Sequence, residues 1–237
     1  LIKKITNIYC EDCKSLKKSV YGDLNSEELN ILNFNKSCNF YKKGQTIYFE
    51  GNTPEGLFCI REGKVKIYKT GNEGKEQIIR LVKNGDIIGY RALIAGESYN
   101  ATAETLEDSK ICFIRKNAIF DLLKKNEKFS FRLIKLLSHD LGEVEQRMVH
   151  LAQKPVRERL AETLLILRET YGMDKDNNSL LNVSLSREDL ANIAGTATET
   201  VIRLLAEFKN ENIISTKARK IEILDVNKLI ETGNLSY

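Results

Sequence analysis

The chain has 237 residues, 42% of them hydrophobic, and a formal net charge of +4. That is enough apolar material for one large or two modest domains, and no run approaches the roughly 18 apolar residues of a membrane span, so no membrane partner is expected. An odd cysteine count of five argues against a secreted disulfide framework, and the start, Leu1-Ile2-Lys3-Lys4, lacks a signal peptide's apolar core and cleavage site; a cytoplasmic location is expected, with thiols reduced, metal-bound or packed.

From Asn39 to Arg115 short apolar runs alternate with glycine-bearing turns. Phe58-Cys59-Ile60, Val65-Lys66-Ile67-Tyr68, Gln77 to Val82, Ile87-Ile88 and Ile111 to Ile114 are separated by Glu62-Gly63, Asn72-Glu73-Gly74, Asn84-Gly85-Asp86 and Ala95-Gly96-Glu97. Strands at such spacing predict an antiparallel sandwich or barrel. After Lys116 the texture becomes helical. Ile134, Leu137, Leu141, Val144, Met148 and Leu151 fall in an a/d heptad pattern, the narrow stripe of a helix that packs on a second copy of itself. Gly142 inside it predicts a bend or a close contact. Pro155 is placed to start the next helix in its first turn, Val156 to Tyr171 is amphipathic, Gly172 to Ser179 is turn-rich, and Leu180 to Val183 has the makings of a short strand.

Ser186 precedes Arg187-Glu188-Asp189-Leu190, so a hydroxyl can cap a helix with Asp189 completing a capping box. That helix stops at Gly195, and a second begins near Ala197 or Thr198. Ala191 supplies the close approach, Gly195 the turn, and Leu190, Ala194, Val201 and Leu204 the filling: a helix-turn-helix. The outward face near the second helix's start carries Thr198, Glu199, Ile202 and Arg203. Arginine bonds guanine O6 and N7 together and glutamate accepts from the cytosine amino group, so these four are the candidate base readers; the plainer alternative is a surface ion pair between Glu199 and Arg203. Ile213-Ile214 and Ile221 to Leu224 read as a small hairpin around Lys217, Arg219 and Lys220, which with Ser186 are the candidate phosphate contacts. From Lys154 onward twelve Lys/Arg face thirteen Asp/Glu, so the case for DNA rests on where the cations sit.

The chain as a whole resembles the catabolite activator/FNR superfamily of bacterial transcription regulators. The resemblance is carried by Glu62-Gly63-Lys64-Val65, Asn84-Gly85-Asp86-Ile87-Ile88-Gly89, the long helix and the run from Gly195 through Glu199 to Arg203. It implies an α+β chain: a double-stranded β-helix, a jelly-roll barrel like those that bind cyclic nucleotides, over residues 1–125 with an N-terminal arm, a dimerisation helix over 126–152, and a winged helix-turn-helix over 153–237. It further implies a homodimer that reads palindromic DNA with TGA-like half-sites through Glu199 and Arg203, and contact with RNA polymerase.

Members that bind cyclic AMP carry Gly-Glu and, after a loop, Arg-Ser. The matching stretches here are Gly89-Tyr90-Arg91 and Tyr99-Asn100-Ala101, which mark the place of an effector pocket and lack the acid and arginine that cyclic AMP needs. In the FNR branch cysteines hold an iron–sulfur cluster, and Cys10, Cys13 and Cys112 fall at three of its four ligand positions while Ser19 holds the fourth; thiolates suit iron and zinc. The alternative is a buried strand cysteine and a mobile N-terminal arm. His139 and His150 fall at f and c of the heptad, off the seam, as surface residues and not haem ligands. An enzyme finds no nucleophile–base pair, phosphate loop or paired carboxylates. A thiol oxidoreductase would place Cys10-Glu-Asp-Cys13 after a strand, and a sensor module that does not read DNA leaves residues 186–210 without a purpose.

Overall fold

In a computed structural model that describes residues 3–5 and 8–235, the elements run β1 (Lys3–Ile5), a 3₁₀ turn (Leu16–Lys18), α1 (Ser26–Phe34), β2 (Lys36–Tyr41), β3 (Thr46–Tyr48), β4 (Gly56–Glu62), β5 (Val65–Thr70), β6 (Glu76–Val82), β7 (Ile87–Ile88), α2 (Tyr90–Ala95), β8 (Thr102–Thr105) and β9 (Ser109–Arg115). They continue with α3 (Lys116–Lys125), α4 (Glu127–Gln153), α5 (Val156–Tyr171), α6 (Arg187–Ala194), α7 (Thr198–Asn210), β10 (Ile214–Lys217), β11 (Lys220–Ile223) and α8 (Val226–Thr232). Leu1 and Ile2, half of the start read above against a signal peptide, lie outside the described residues. No described helix is long and apolar enough to cross a membrane.

The N-terminal strands divide into a five-stranded sheet ordered β1-β2-β9-β4-β7 and a four-stranded sheet ordered β3-β8-β5-β6. The pairings among β1, β2, β9, β4 and β7 are antiparallel. Residues directly opposite one another on neighbouring strands share a face, a point that governs the cysteines below. Under the sheet a core forms from Leu29 and Leu32 of α1, Leu57, Ile87 and Ile114 of the strands, Ala118, Ile119 and Leu122 of α3, and Phe129 and Leu133 of α4. Tyr21 stacks on Phe129 with ring centroids 5.7 Å apart. The asparagine–glutamate capping box Asn25/Glu28 starts α1.

Two compact units divide the chain. One holds the described residues up to Lys69 with Arg80–Gly142; the other holds Thr70–Ile79 with the described residues from Glu143 onward. Helix α4 is continuous across the division. Its first half buries Phe129 and Leu133, whereas Ile134, Leu141, Val144, Met148 and Leu151 are between 44 and 66% exposed, an unpartnered apolar stripe. Leu137 departs from that stripe by packing partly on the core. Gly142 does not interrupt the helix, and a Cβ there would meet no other part of this chain within 4 Å.

Two local expectations are corrected. Pro155 caps α5 from outside instead of occupying its first turn. Leu180 to Val183 forms only isolated bridges, Met173 to Leu181 and Leu180 to Glu222, because the preceding residues turn on their own side chains: Asp174 accepts from the Asp176 N–H at 3.0 Å and Asn177 accepts the Ser179 hydroxyl at 2.6 Å.

Candidate functional site

Helix α6 begins with the expected capping box: Ser186 Oγ accepts the Asp189 N–H at 2.9 Å while Asp189 accepts the Ser186 N–H at 3.1 Å. The Ser186 hydroxyl also donates to Asp189 at 2.6 Å, so its proton is committed to the cap. Gly195 ends the helix at φ +65°, with its N–H bonded to the Ala191 carbonyl. Arg159 of α5, which sequence reasoning missed, clamps this turn by donating to the carbonyls of Ala194 at 2.8 Å and Gly195 at 3.1 Å. A Cβ on Gly195 would stand 2.7 Å from Leu151 Cδ2, so the end of α4 rests against the same turn.

Helix α7 buries Val201, Leu204, Leu205 and Phe208 and turns Glu199, Ile202 and Arg203 outward, with Thr198 half-buried at its first position. Arg203 pairs with Glu207 one turn on and not with Glu199. Glu207 is shared with Arg157, which also reaches Glu211 at 2.7 Å. Glu199 makes no ion pair among the described residues. The Arg203–Glu207 pair is exposed and worth only about 0.3–0.5 kcal/mol, against about 1–3 kcal/mol for a bidentate base contact, so DNA can displace it.

The hairpin β10–β11 pairs Lys217 with Lys220, and its exposed tip places Lys217, Arg219 and Lys220 around an open recess of about 530 Å³. Arg187 at the start of α6 donates to the Ala218 carbonyl at 3.0 Å, fixing the wing to the helix-turn-helix. Its other terminal nitrogen, Nη1, is buried without a partner among the described residues, and burial lowers its pKa. Sequence reasoning missed this cation because its partner is a backbone carbonyl 31 residues away.

The two tyrosines at the expected effector position are buried. Tyr90 and Tyr99 are buried at 2 and 6% exposure, and Tyr99 stacks on Tyr48 with centroids 3.9 Å apart. Gly89 takes φ +82°, and a Cβ there would press within 3.1 Å of the Tyr99 ring. Tyr90 donates its hydroxyl to Asp140 of α4 and accepts from Arg80 at 2.8 Å, and Arg80 pairs with Asp140 at 2.9 Å; burial raises the Tyr90 pKa. Arg91 points outward to Glu97 at 2.9 Å and Asn100 is exposed. His139 is exposed as expected; His150 is half-buried and holds Glu162 through Nδ1 at 2.6 Å.

The cysteines overturn two expectations. Cys112 is bonded to Cys38, not free to ligate a metal, while Cys10, Cys13 and Cys59 are free thiols. The physical reason is register: Cys38 on β2 lies opposite Cys112 on β9, so their side chains share a face. Nor is the arm mobile in the sense of lacking contacts. Arg61 donates to the carbonyls of Tyr9 at 3.2 Å and Asp12 at 3.3 Å, the Cys10 N–H bonds Asn33 at 2.9 Å, and Lys36 Nζ lies 2.9 Å from Cys10 Sγ. Burial pushes the Cys10 thiol up despite Lys36. Ser19, at the fourth cluster position, donates its hydroxyl to the Leu16 carbonyl at 2.7 Å and accepts the Tyr21 N–H at 3.2 Å. With Cys112 bonded and Ser19 occupied, the residues do not fit the iron–sulfur ligand set that the resemblance implies. Cys59 lines the same cavity as Cys10, Cys13 and Cys112.

A β-sheet domain joined by a long helix to a winged helix-turn-helix whose second helix exposes Glu199 and Arg203 defines a DNA-binding transcription regulator. Residues 38–126 match the cyclic nucleotide-binding domain family and residues 158–232 the Crp-like helix-turn-helix domain. The chain is 30% identical over 230 residues to the fumarate and nitrate reduction regulatory protein of Vibrio cholerae, covering 97% of this chain and 92% of that one. It is 29% identical to electron transport regulator A of Shewanella oneidensis, with 94 and 89% covered. Among solved structures it superposes on FixK2 from Bradyrhizobium japonicum at a TM-score of 0.76 and 23% identity, covering 85% of this chain and 99% of that one. The chain belongs to the CRP/FNR family of transcription regulators, and its relatives are regulators, not enzymes.

Proposed function

We propose that this regulator acts in the cytoplasm as a homodimer that reads a palindrome with TGA-like half-sites, Glu199 and Arg203 contacting the bases with Thr198 and Ile202 alongside, and Lys217, Arg219 and Lys220 holding phosphates near Ser186. The observation that carries this reading is the helix α7, buried on one face and presenting Glu199, Ile202 and Arg203 on the other. The exposed apolar stripe of α4 supports the dimer, since each side chain buried there contributes about 1.5–3 kcal/mol. Two copies related by a two-fold axis set two reading helices about one DNA turn apart. Contact with RNA polymerase follows from the family alone.

Signal transfer runs through α4. Asp140, held by Arg80 and Tyr90, sits beside Leu141 of the stripe, and Leu151 rests on the helix-turn-helix at Gly195. A change that moves Tyr90 biases the helix, and the helix sets the recognition elements; the operator responds to the difference in fit between two states. Cyclic AMP is not the effector in this reading, because the acid and arginine it requires are missing and tyrosines fill the place. The test is selection from a random DNA pool with purified protein. Enrichment of a palindrome with TGA-like halves is expected; enrichment of no motif, or of an asymmetric one, overturns the reading.

A further inference from the structure

We propose that Arg159 and Glu162 of α5 are the positioning residues that fix the recognition motif to the end of α4, so that the reading helix follows the dimer helix. The chain leaves carbonyls without helical partners at both places. Pro155 has no N–H to offer the Leu151 carbonyl four residues before it, and Lys154 lies between the end of α4 at Gln153 and the cap of α5. Ala194 and Gly195 close α6, where the last carbonyls of a helix find no donor within it. One guanidinium serves both ends. Arg159 Nη1 donates to the Lys154 carbonyl at 2.7 Å and lies 3.5 Å from that of Leu151, while Nε and Nη2 donate to Ala194 at 2.8 Å and Gly195 at 3.1 Å. A cation at this point also meets the negative ends of two helix dipoles.

Glu162 follows Arg159 on the same face of α5, since residues three apart on a helix are neighbours. It holds side chains from the end of α4, His150 Nδ1 at 2.6 Å and Lys154 Nζ at 3.3 Å. Arg159 therefore grips the backbone at the ends of both α4 and α6, and Glu162 strengthens the grip on α4. All of these residues belong to the C-terminal unit. The planar fork is what spans two helix ends; a lysine ammonium, a compact point charge, holds one of them at a time. Helix α7 starts at Thr198, directly after this turn, so fixing the Ala194 and Gly195 carbonyls fixes where the reading helix begins. In a two-fold dimer that sets the separation of the two reading helices. The proposal rests on the reading of the chain as a dimer on a palindrome, and it assigns to Arg159 and Glu162 the step from α4 to the recognition motif.

The experiment uses the full chain, titrated on the selected palindrome, on versions with a base pair inserted or removed between the half-sites, and on one with a half-site guanine replaced. The wild type is expected to prefer the original spacing by about tenfold or more, and Arg159→Lys to keep only about twofold of that preference. Arg159→Lys is also expected to lose as much as the wild type on the replaced guanine, because α7 still presents Arg203. A merely structural role would not separate spacing from base reading in this way. Arg159→Lys that unfolds cooperatively and keeps the wild-type spacing preference overturns the proposal, as does a variant that loses spacing and guanine discrimination together. If Arg159→Lys does not fold, Glu162→Gln decides: it loosens the end of α4 and leaves the hold on Ala194 and Gly195, and an unchanged spacing preference overturns the proposal. A wild type that binds every spacing equally overturns the dimer reading and this inference with it, whereas a spacing preference that survives only in the variants' absence of effect overturns the inference alone.

Discussion

Arg203 and Lys220 are both exposed cations of the C-terminal unit, and they separate two kinds of DNA contact. Lys220, at the wing tip, has a charge but no fixed geometry to offer, so Lys220→Ala is expected to weaken specific and random DNA alike and to lower the salt slope of binding by about 1. A loss confined to the specific site in salt-dependent titrations would contradict that. Tyr90 acts inside the fold: Tyr90→Phe removes the hydroxyl between Arg80 and Asp140 but leaves their ion pair. The expected cost is about 1–2 kcal/mol, read as a fall of a few degrees in Tm, together with a changed operator affinity if the relay runs through α4. Glu199 and Arg203 were legible in the sequence because helical periodicity separates an outer from an inner face. Arg61, Arg159 and Arg187 were not, because each donates to backbone carbonyls distant in the chain, and nothing in local spacing marks such a partner.

At the scale of elements, the turn between α6 and α7 is the most constrained piece of the reading head. Gly195→Ala is expected to destabilise by about 1–2 kcal/mol, since a left-handed conformation penalises any Cβ and this one meets Leu151; denaturant unfolding checks it, and an unchanged midpoint would mean that the turn relaxes freely. This turn, its capping box and the amphipathic α7 were all readable, for local chemistry decides them. Strand register was not. The sequence places Cys59 in an apolar run and Cys112 in another, but only the order β2-β9-β4 brings Cys38, Cys112 and Cys59 abreast. The family's fourth cluster position falls on Ser19, whereas the register sets Cys59 directly opposite Cys112. Likewise, Tyr90 and Tyr99 marked the family's effector position, but no motif announces that Tyr99 stacks on Tyr48 or that Tyr90 packs into the core.

For the whole molecule, α4 runs unbroken from one unit into the other and is the element this account has serve both sensing and reading. Its exposed stripe is the dimer surface of this account, and Leu141→Asp is expected to yield monomers in sedimentation, because a carboxylate in an apolar seam is left without a partner; a variant that still sediments as a dimer would place the interface elsewhere. The heptad spacing picks out the residues that lie exposed on α4, apart from Leu137, which packs partly on the core. The most direct test of base reading by Arg203 is a double-mutant cycle: wild type and Arg203→Ala, each titrated on the selected palindrome and on one whose half-site guanine is replaced. The account predicts a coupling of about 1–3 kcal/mol, with Arg203→Ala indifferent to the replaced base. A coupling of zero, with both proteins losing equally on the altered DNA, would contradict it.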